Sequence, residues 1–258
     1  MTLHTEQFEK IKNTIKESII HKLKNYKPET FNMPFHFRLL GKDRMALFSF
    51  IHSLNTTFGT SIFEPVAEIL ASFKFPFVKT QYVVGEKISE NAQIEIQHII
   101  NELTTSNCHP NKNSEVERLR KVCNKGNINN LKTVKVDLFI KDNDGRVYLF
   151  DIKTAKPNIS DFIIYKRTLL EWVAIYLFNE PNADIHSYLA IPYNPYEPKP
   201  YKRWTLKGLL DLTNELKVGE EFWDFIGGSG AYKDLLDCFE KAGLELRPEI
   251  DKHFSQFI

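Results

Sequence analysis

In the segment VDLFIKDNDGRVYLFDIKTAK, residues 136–156, two carboxylates and an amine stand at the ends of two apolar runs. Asp137 stands at the start of one apolar run, and Asp151 and Lys153 stand at the end of the next. The NDG tripeptide between the runs is a strong hairpin-turn signal, so the two carboxylates can approach each other from adjacent strands. Because side chains two positions apart in a strand point to the same face, Asp151 and Lys153 are predicted to lie together.

This combination of side chains suits one kind of chemistry. Neighbouring carboxylates repel each other and stay ionised only where a cation compensates them. Mg²⁺ meets this need, since it takes one or two protein carboxylates and completes its shell with water and phosphate oxygens. A lysine beside the metal can stabilise charge on the phosphate or orient the attacking water. Asp137, Asp151 and Lys153 therefore predict a minimal site for hydrolysing phosphodiester bonds.

Each of these residues also has a purely structural interpretation. Asp137 can cap a turn or pair with a nearby lysine at the end of a strand, and Lys153 can be a solvated strand-end residue. Asp151 is harder to explain in this way, because it follows VYLF and precedes IK and so lies near the buried part of a strand. A buried carboxylate needs a partner. Taken together, the three residues favour catalysis.

The segments before the hairpin predict helices and one strand. A strand is predicted over 75–84. Ser61 and Glu64 fit a capping box at the start of a helix. Gly59 is expected to end the helix before it, which is apolar on most sides and is expected to be buried. The predicted helices of this half cover residues 6–25, 42–57, 60–73 and 89–103, the last capped by Ser89.

The second half completes an α/β pattern. Residues 104–130 are polar and predict a loop with a short charged, solvated helix around 114–122. After the hairpin come a long helix capped by Asn158 or Ser160, a strand over 184–192, and two or three helical pieces. This order predicts an α/β sandwich with a mixed β-sheet flanked by helices.

Bulk composition excludes several classes of protein. The net charge of +1 comes from 34 basic and 33 acidic residues, which does not exclude DNA binding because local clustering matters more than the sum. The cysteines, Cys108, Cys123 and Cys238, are odd in number and share no repeated spacing, which argues against a disulfide framework or a structural zinc site. No signal peptide or membrane span is evident, so a soluble cytoplasmic protein is expected.

The hairpin motif resembles a known nuclease signature. VD followed by DIK is similar to the PD-(D/E)xK motif, with Val136 in place of the proline. That superfamily has an α-β-β-β-α-β core with the motif on the second and third strands, which is the order predicted above. The resemblance implies that the Ile152 carbonyl faces the metal and that Glu64, on the helix before the sheet, contributes a further carboxylate. The capping-box interpretation of Glu64 remains open.

A closer resemblance covers most of the chain. FHFRLLGKDRMALFSFIHSLNTTFGTSIFEPVA and DIKTAKPN are similar to the TdeIII-type family of type II restriction endonucleases, from about Phe35 to the C-terminal third. The resemblance implies Mg²⁺-dependent cleavage of double-stranded DNA at a short palindrome of the GGNCC kind, in a bacterial or archaeal cytoplasm. A palindromic site implies a homodimer, since protein symmetry mirrors site symmetry.

Under this interpretation the chain is a single endonuclease domain, 1–258. Its core covers about 60–192, and residues 1–58 and 193–258 are helical and loop additions for DNA contact and dimerisation. The segment 193–204 interleaves aromatic and basic side chains, which can contact phosphates and base edges. It is equally well a proline-rigid surface loop, and Lys156 is equally well a surface residue. The candidate DNA-binding residues are Lys156, Tyr193, Tyr196, Lys199, Lys202 and Arg203.

Two other functions stay open on the same core. A repair or recombination nuclease would recognise DNA structure rather than sequence. A non-catalytic DNA-binding protein would retain DNA without cutting it. The intact set of Asp137, Asp151 and Lys153 favours an enzyme over the second alternative.

Overall fold

A five-stranded mixed sheet forms the centre of the computed structural model, which describes residues 3–27, 32–105, 108–153, 161–202, 206 and 208–255. The strands follow each other across the sheet in chain order; the first three are antiparallel, and the last two run parallel to the third. The predicted α/β class with a mixed sheet is confirmed. The strands are β1 (Phe77–Ser89), β2 (Ile128–Lys141), β3 (Val147–Ile152), β4 (Ile185–Ile191) and β5 (Leu216–Val218).

Helices cover both faces of this sheet. One apolar cluster joins Leu149 to α5, α6 and α7, and a second joins Phe150 to α1, α4, α8 and α9. Adjacent residues of β3 thus feed opposite cores, as the alternation of a strand requires. The helices are α1 (Thr5–Asn25), α2 (Pro34–Leu40), α3 (Lys42–Thr57), α4 (Glu64–Ser72), α5 (Glu90–Thr104), α6 (Lys112–Arg120), α7 (Phe162–Asn179), α8 (Glu220–Gly227), α9 (Ala231–Glu245) and α10 (Arg247–Phe254).

The predicted hairpin is confirmed. β2 and β3 pair in a register that places Leu138 opposite Phe150. The turn closes on Asp142, whose carboxylate accepts hydrogen bonds from the backbone N–H groups of Asp144 and Arg146, both at 2.9 Å. Gly145 adopts φ +83°, a conformation that glycine reaches without steric cost. This local turn chemistry fixes the register that brings the site residues together.

The predicted break at Gly59 is wrong. The chain stays helical from α3 into α4 through a π-helical turn, Phe58–Phe63. The capping box predicted for Ser61 and Glu64 is also wrong, because the residue preceding α4 is the helical Phe63 and no side chain caps the helix there. Ile62 is fully buried, so the packing of this turn stabilises helical structure that a glycine alone would disfavour.

The expected burial of α3 is wrong as well. Met45 and Phe50 are buried, but Leu47, Phe48 and Ile51 are 44%, 58% and 49% exposed. An apolar helix predicts a covered surface only if another element is available to pack on it. In the described part of the chain, this face of α3 remains open to solvent.

The remaining local predictions have mixed outcomes. Ser89 caps α5 as predicted, since its hydroxyl accepts a hydrogen bond from the Ala92 N–H at 3.1 Å. β1 and β2 pair further than predicted, to Ser89 and from Ile128, which shortens the expected loop. α6 is not simply solvated, because Lys112, Glu115, Val116 and Leu119 are buried. The proposed caps Asn158 and Ser160 lie outside the described residues. None of the described helices is both long and apolar enough to cross a membrane.

Candidate active site

The hairpin brings Asp137 and Asp151 together where the pairing of β2 and β3 ends. One step beyond the paired residues Leu138 and Phe150, the Asp137 carboxylate accepts a hydrogen bond from the backbone N–H of Ile152 at 2.8 Å. Asp151, directly before Ile152, is only 3% exposed. The main chain of β3 therefore holds the first carboxylate beside the second.

Lys153 completes the predicted group. Its ammonium nitrogen lies 2.5 Å from Oδ1 of Asp151 and 5.5 Å from the centroid of the Tyr165 ring on α7. Burial alone would lower the pKa of Lys153, but the charge and hydrogen bond of Asp151, helped by Asp137, outweigh burial and raise it. The side chain is thus held as a cation at the end of β3.

The electrostatics of Asp151 reflect its position. Burial raises the pKa of this carboxyl to about 6, with Lys153 opposing the shift and Asp137 adding to it. Two acids and one amine leave the group with an excess of negative charge whenever both acids are ionised. An added cation would relieve that excess.

Glu64 reaches the same group from α4. It is 5% exposed, and its Oε2 accepts a hydrogen bond from the side-chain amide of Gln81 at 2.8 Å. Burial raises the pKa of Glu64 to about 7; the Gln81 hydrogen bond and Lys153 oppose the shift, and the charges of Asp137 and Asp151 add to it. The structure therefore brings all four predicted side chains within electrostatic reach of one another.

The donor set fits a hard divalent cation. In the described ranges, no group of three or more His, Cys, Asp and Glu side chains is spaced as a ready-made metal cage. Mg²⁺ needs less, because one or two carboxylates plus carbonyl, water and phosphate oxygens suffice. The N–H of Ile152 faces Asp137, and the carbonyl of a strand residue points to the same side as its own N–H. Asp137, Asp151 and the Ile152 carbonyl thus form an all-oxygen set.

The predicted DNA-binding segment begins at the same edge of the sheet. β3 and β4 are parallel, so their carboxyl ends lie together, and the loop after β4 starts beside Lys153. Tyr193 is 46% exposed, and Lys199 and Lys202 are exposed. Lys202 packs over the ring of Tyr196 at 4.7 Å. Lys156 and Arg203 lie outside the described residues.

Sequence reasoning missed two residues that contact the group. The side-chain amide of Gln81 donates a hydrogen bond to Glu64, and the ring of Tyr165 packs under the ammonium group of Lys153. Tyr165 has the helical spacing of a core residue, so its sequence pattern indicates the apolar face of its helix. Gln81 is one polar residue in a strand whose alternate positions face solvent. Neither residue stands near the motif in sequence, so no local signal distinguishes it.

A buried ion network was also missed. Lys166 of α7 lies 2.5 Å from Glu115 of α6 and 2.6 Å from Glu215, and Lys112 lies 3.0 Å from Glu215 and 2.7 Å from the Ser187 hydroxyl. The four charged side chains are at most 5% exposed. Burial alone would raise the pKa of Glu215, but the two lysines lower it. The network ties α7, and with it Tyr165, to α6 and the sheet.

The central hairpin of the mixed sheet thus presents two aspartates and a lysine beside a helix-borne glutamate, which is the arrangement expected of a restriction-endonuclease-like core. A family model described as "Type II restriction endonuclease, HinfI" matches residues 3–243. The chain therefore belongs to the HinfI family of type II restriction endonucleases, which are site-specific deoxyribonucleases.

Individual proteins similar to this chain are also type II restriction enzymes. The type II restriction enzyme HgiCII of Herpetosiphon aurantiacus is 29% identical over 225 residues, covering 85% of this chain and 80% of the relative. HgiEI of the same organism is 28% identical over 228 residues, covering 86% and 81%. MjaII of Methanocaldococcus jannaschii is 28% identical over 250 residues, covering 86% of this chain and 65% of the relative. The expected class is confirmed, and the narrower TdeIII-type resemblance stays a prediction.

Proposed function

We propose that this protein is a Mg²⁺-dependent endonuclease that cuts both strands of DNA at a short palindrome of the GGNCC kind. The observation that supports the chemistry is the ion pair of 2.5 Å between the buried Asp151 and the partly exposed Lys153, which lies beside Asp137. The family supports sequence-specific cleavage of DNA. The particular palindrome derives from the TdeIII-type resemblance of the sequence.

Asp137 and Asp151 would hold the metal together with the carbonyl of Ile152. Glu64 would be a further ligand or would position a metal-bound water. A bound Mg²⁺ would polarise the scissile phosphate and lower the pKa of a water. Asp137 is already oriented by the Ile152 N–H, so little rearrangement of the protein is needed to bind the cation.

Lys153 would act on the phosphate or on the attacking water. Asp151 and the ring of Tyr165 hold its ammonium group, which remains protonated because the acids raise its pKa. A fixed cation donates hydrogen bonds to the oxygens on which negative charge develops, and a preorganised group does this without reorganisation cost. In this role Lys153 stabilises the transition state or orients the nucleophile.

The DNA would lie across the edge of the sheet where β3 and β4 end. The six DNA-contact candidates, Lys156, Tyr193, Tyr196, Lys199, Lys202 and Arg203, would contact it there. Lysines and arginines neutralise phosphates, and arginine can read guanine. Residues 60–192 would form the catalytic core and the flanking segments would bind DNA and a second copy. The working form would be a homodimer in the cytoplasm of a bacterium or archaeon.

The proposal is tested by incubating the purified protein with plasmid DNA in EDTA, in Mg²⁺ and in Mn²⁺, followed by run-off sequencing of the ends. We expect discrete metal-dependent fragments whose ends share one palindrome. Cleavage of branched or damaged DNA in preference to plain plasmid would indicate a structure-specific nuclease. Retention of DNA with no strand loss in either metal would contradict catalysis.

A further inference from the structure

Gln81 has an unusual backbone conformation in the middle of β1. Its φ of +50° is the only positive value at a non-glycine residue in the ranges described. Pairing with β2 continues on both sides, where Thr80 pairs with Leu138 and Tyr82 with Val136, before the register shifts between Val83 and Gly85. Such a conformation costs about 1–3 kcal/mol and persists only where the surrounding structure imposes it, most often at functional sites.

The strain changes where the side chain points. Thr80 donates a hydrogen bond to Oε2 of Glu68 at 2.6 Å, and Gln81 donates one to Oε2 of Glu64 at 2.8 Å. The two glutamates are one turn apart on the same face of α4. Neighbouring side chains of a regular strand point to opposite faces, so Thr80 and Gln81 could not both reach this helix in regular β geometry. The left-handed conformation of Gln81 makes the second contact possible.

The second contact is the one that reaches the candidate site. Glu64 is 5% exposed and lies within electrostatic reach of Asp137, Asp151 and Lys153, whereas Glu68 is one turn away. In the register of β1 and β2, Gln81 and Asp137 both lie between the pairs Thr80–Leu138 and Tyr82–Val136. Gln81 therefore stands between the glutamate of the helix and the first aspartate of the hairpin.

We propose that Gln81 is a positioning residue for cleavage: its amide holds Oε2 of Glu64, which leaves Oε1 to bind the cation or its water. This inference rests on the proposed function of Glu64. Residues that orient metal ligands through hydrogen bonds typically change metal affinity or activity by about 10–100-fold when they are removed. Gln81 would thus contribute to the reaction without touching the phosphate.

The matched comparison is Gln81→Leu against Thr80→Val. Each variant removes one hydrogen bond between β1 and α4, but only the first concerns Glu64. We expect Gln81→Leu to lower kcat on plasmid DNA by about 10–100-fold with little change in KM, and to weaken Mn²⁺ binding, measured by electron paramagnetic resonance of the free ion, about 10-fold. Thr80→Val should leave kcat and Mn²⁺ affinity near wild type.

Two further variants separate the amide from the backbone. Gln81→Gly keeps the positive φ without strain and loses the amide, so it should be as slow as Gln81→Leu while folding at least as stably. In a Glu64→Gln background, Gln81→Leu should cause little additional loss of kcat, because Gln81 acts only through the Glu64 carboxylate, which this background already removes.

Several outcomes would overturn the inference. Equal losses of kcat and Mn²⁺ affinity in Gln81→Leu and Thr80→Val would show that Gln81 only links β1 to α4. Wild-type kcat and Mn²⁺ affinity in Gln81→Gly, with a slow Glu64→Gln, would remove Gln81 from the mechanism and leave Glu64 in it. Wild-type cleavage by Glu64→Gln would exclude both residues. Thermal unfolding of each variant checks that it is folded.

Discussion

The carboxylate of Asp137 is anchored by the backbone N–H of Ile152 at 2.8 Å. The first acid of the candidate site is therefore held by the main chain of the strand that carries the second acid and the lysine. A side chain fixed in this way loses little conformational freedom when it binds a cation. The contact needs an acceptor oxygen but not a negative charge, so the structural role of Asp137 can be tested separately from the role of its charge.

Asp137→Asn should preserve the fold and remove cleavage. The amide oxygen can still accept the Ile152 N–H, so unfolding in urea should change little, whereas the lost charge weakens cation binding. We expect a fall in kcat of about 10²–10³-fold, as for other groups that stabilise charge directly. Asp137→Ala is the companion variant and should lose stability as well as activity. Wild-type cleavage in Asp137→Asn would exclude Asp137 as a metal ligand.

Asp151→Ala and Lys153→Ala should each abolish cleavage. The first removes a carboxylate from the cation site, and the second removes the ammonium group that lies 2.5 Å from it. Plasmid cleavage in Mg²⁺ and DNA retention on a gel in Ca²⁺ measure the two functions separately, and much of the retention should remain. Asp144→Asn, on the exposed turn of the same hairpin, is the control and should cut normally. Wild-type rates in either alanine variant would refute the assignment.

Glu64→Gln should change how stability depends on pH in the absence of metal. The pKa of Glu64 is about 7 in the folded protein and 4.5 for the unperturbed group. The unfolded chain therefore releases this proton more readily, so the folded state loses stability as pH rises from 4.5 to 7. In EDTA at pH 8, the free energy of unfolding of Glu64→Gln should exceed that of wild type by about 2–3 kcal/mol. Below pH 4.5 that pH-dependent advantage should vanish in urea unfolding; an advantage equal at both pH values would contradict it.

Lys166→Met should destabilise the protein strongly. The Lys166 ammonium is fully buried between Glu115 and Glu215, and its removal leaves two buried carboxylates with one lysine. Breaking a buried ion pair on one side typically costs about 3–5 kcal/mol. Urea unfolding measures the loss, and Lys10→Met on the exposed face of α1 should change stability by less than about 0.5 kcal/mol. A similar small effect at both positions would show that the network contributes little.

Local patterns predicted the parts of the structure that depend on local chemistry. The NDG turn, the apolar run of β3 and the hydroxyl of Ser89 each determine an element within a few residues, and these predictions are correct. The hairpin alone brings Asp137, Asp151 and Lys153 together. The core of the candidate site was therefore predictable from one segment of the sequence.

Features that depend on distant partners were not predictable. Gly59 disfavours a helix locally, but the packing of Ile62 overrides it. Lys112 and Lys166 are lysines that an isolated sequence assigns to solvent, and only their partners from other elements explain their burial. The positive φ of Gln81 likewise accompanies a contact with α4, which its neighbours along the chain do not indicate.

The order of elements has a consequence for the timing of activity. Glu64 lies before β1, and the hairpin residues follow only after α5 and α6. Contacts between segments so far apart in sequence form late, because their loop-closure entropy is large and must be offset by the rest of the fold. If the four groups act together as proposed, a chain that is still being synthesised, or that has lost its packing, would not bring them together and would not cut nearby DNA. Completion of the fold would then determine when the protein becomes able to cut DNA.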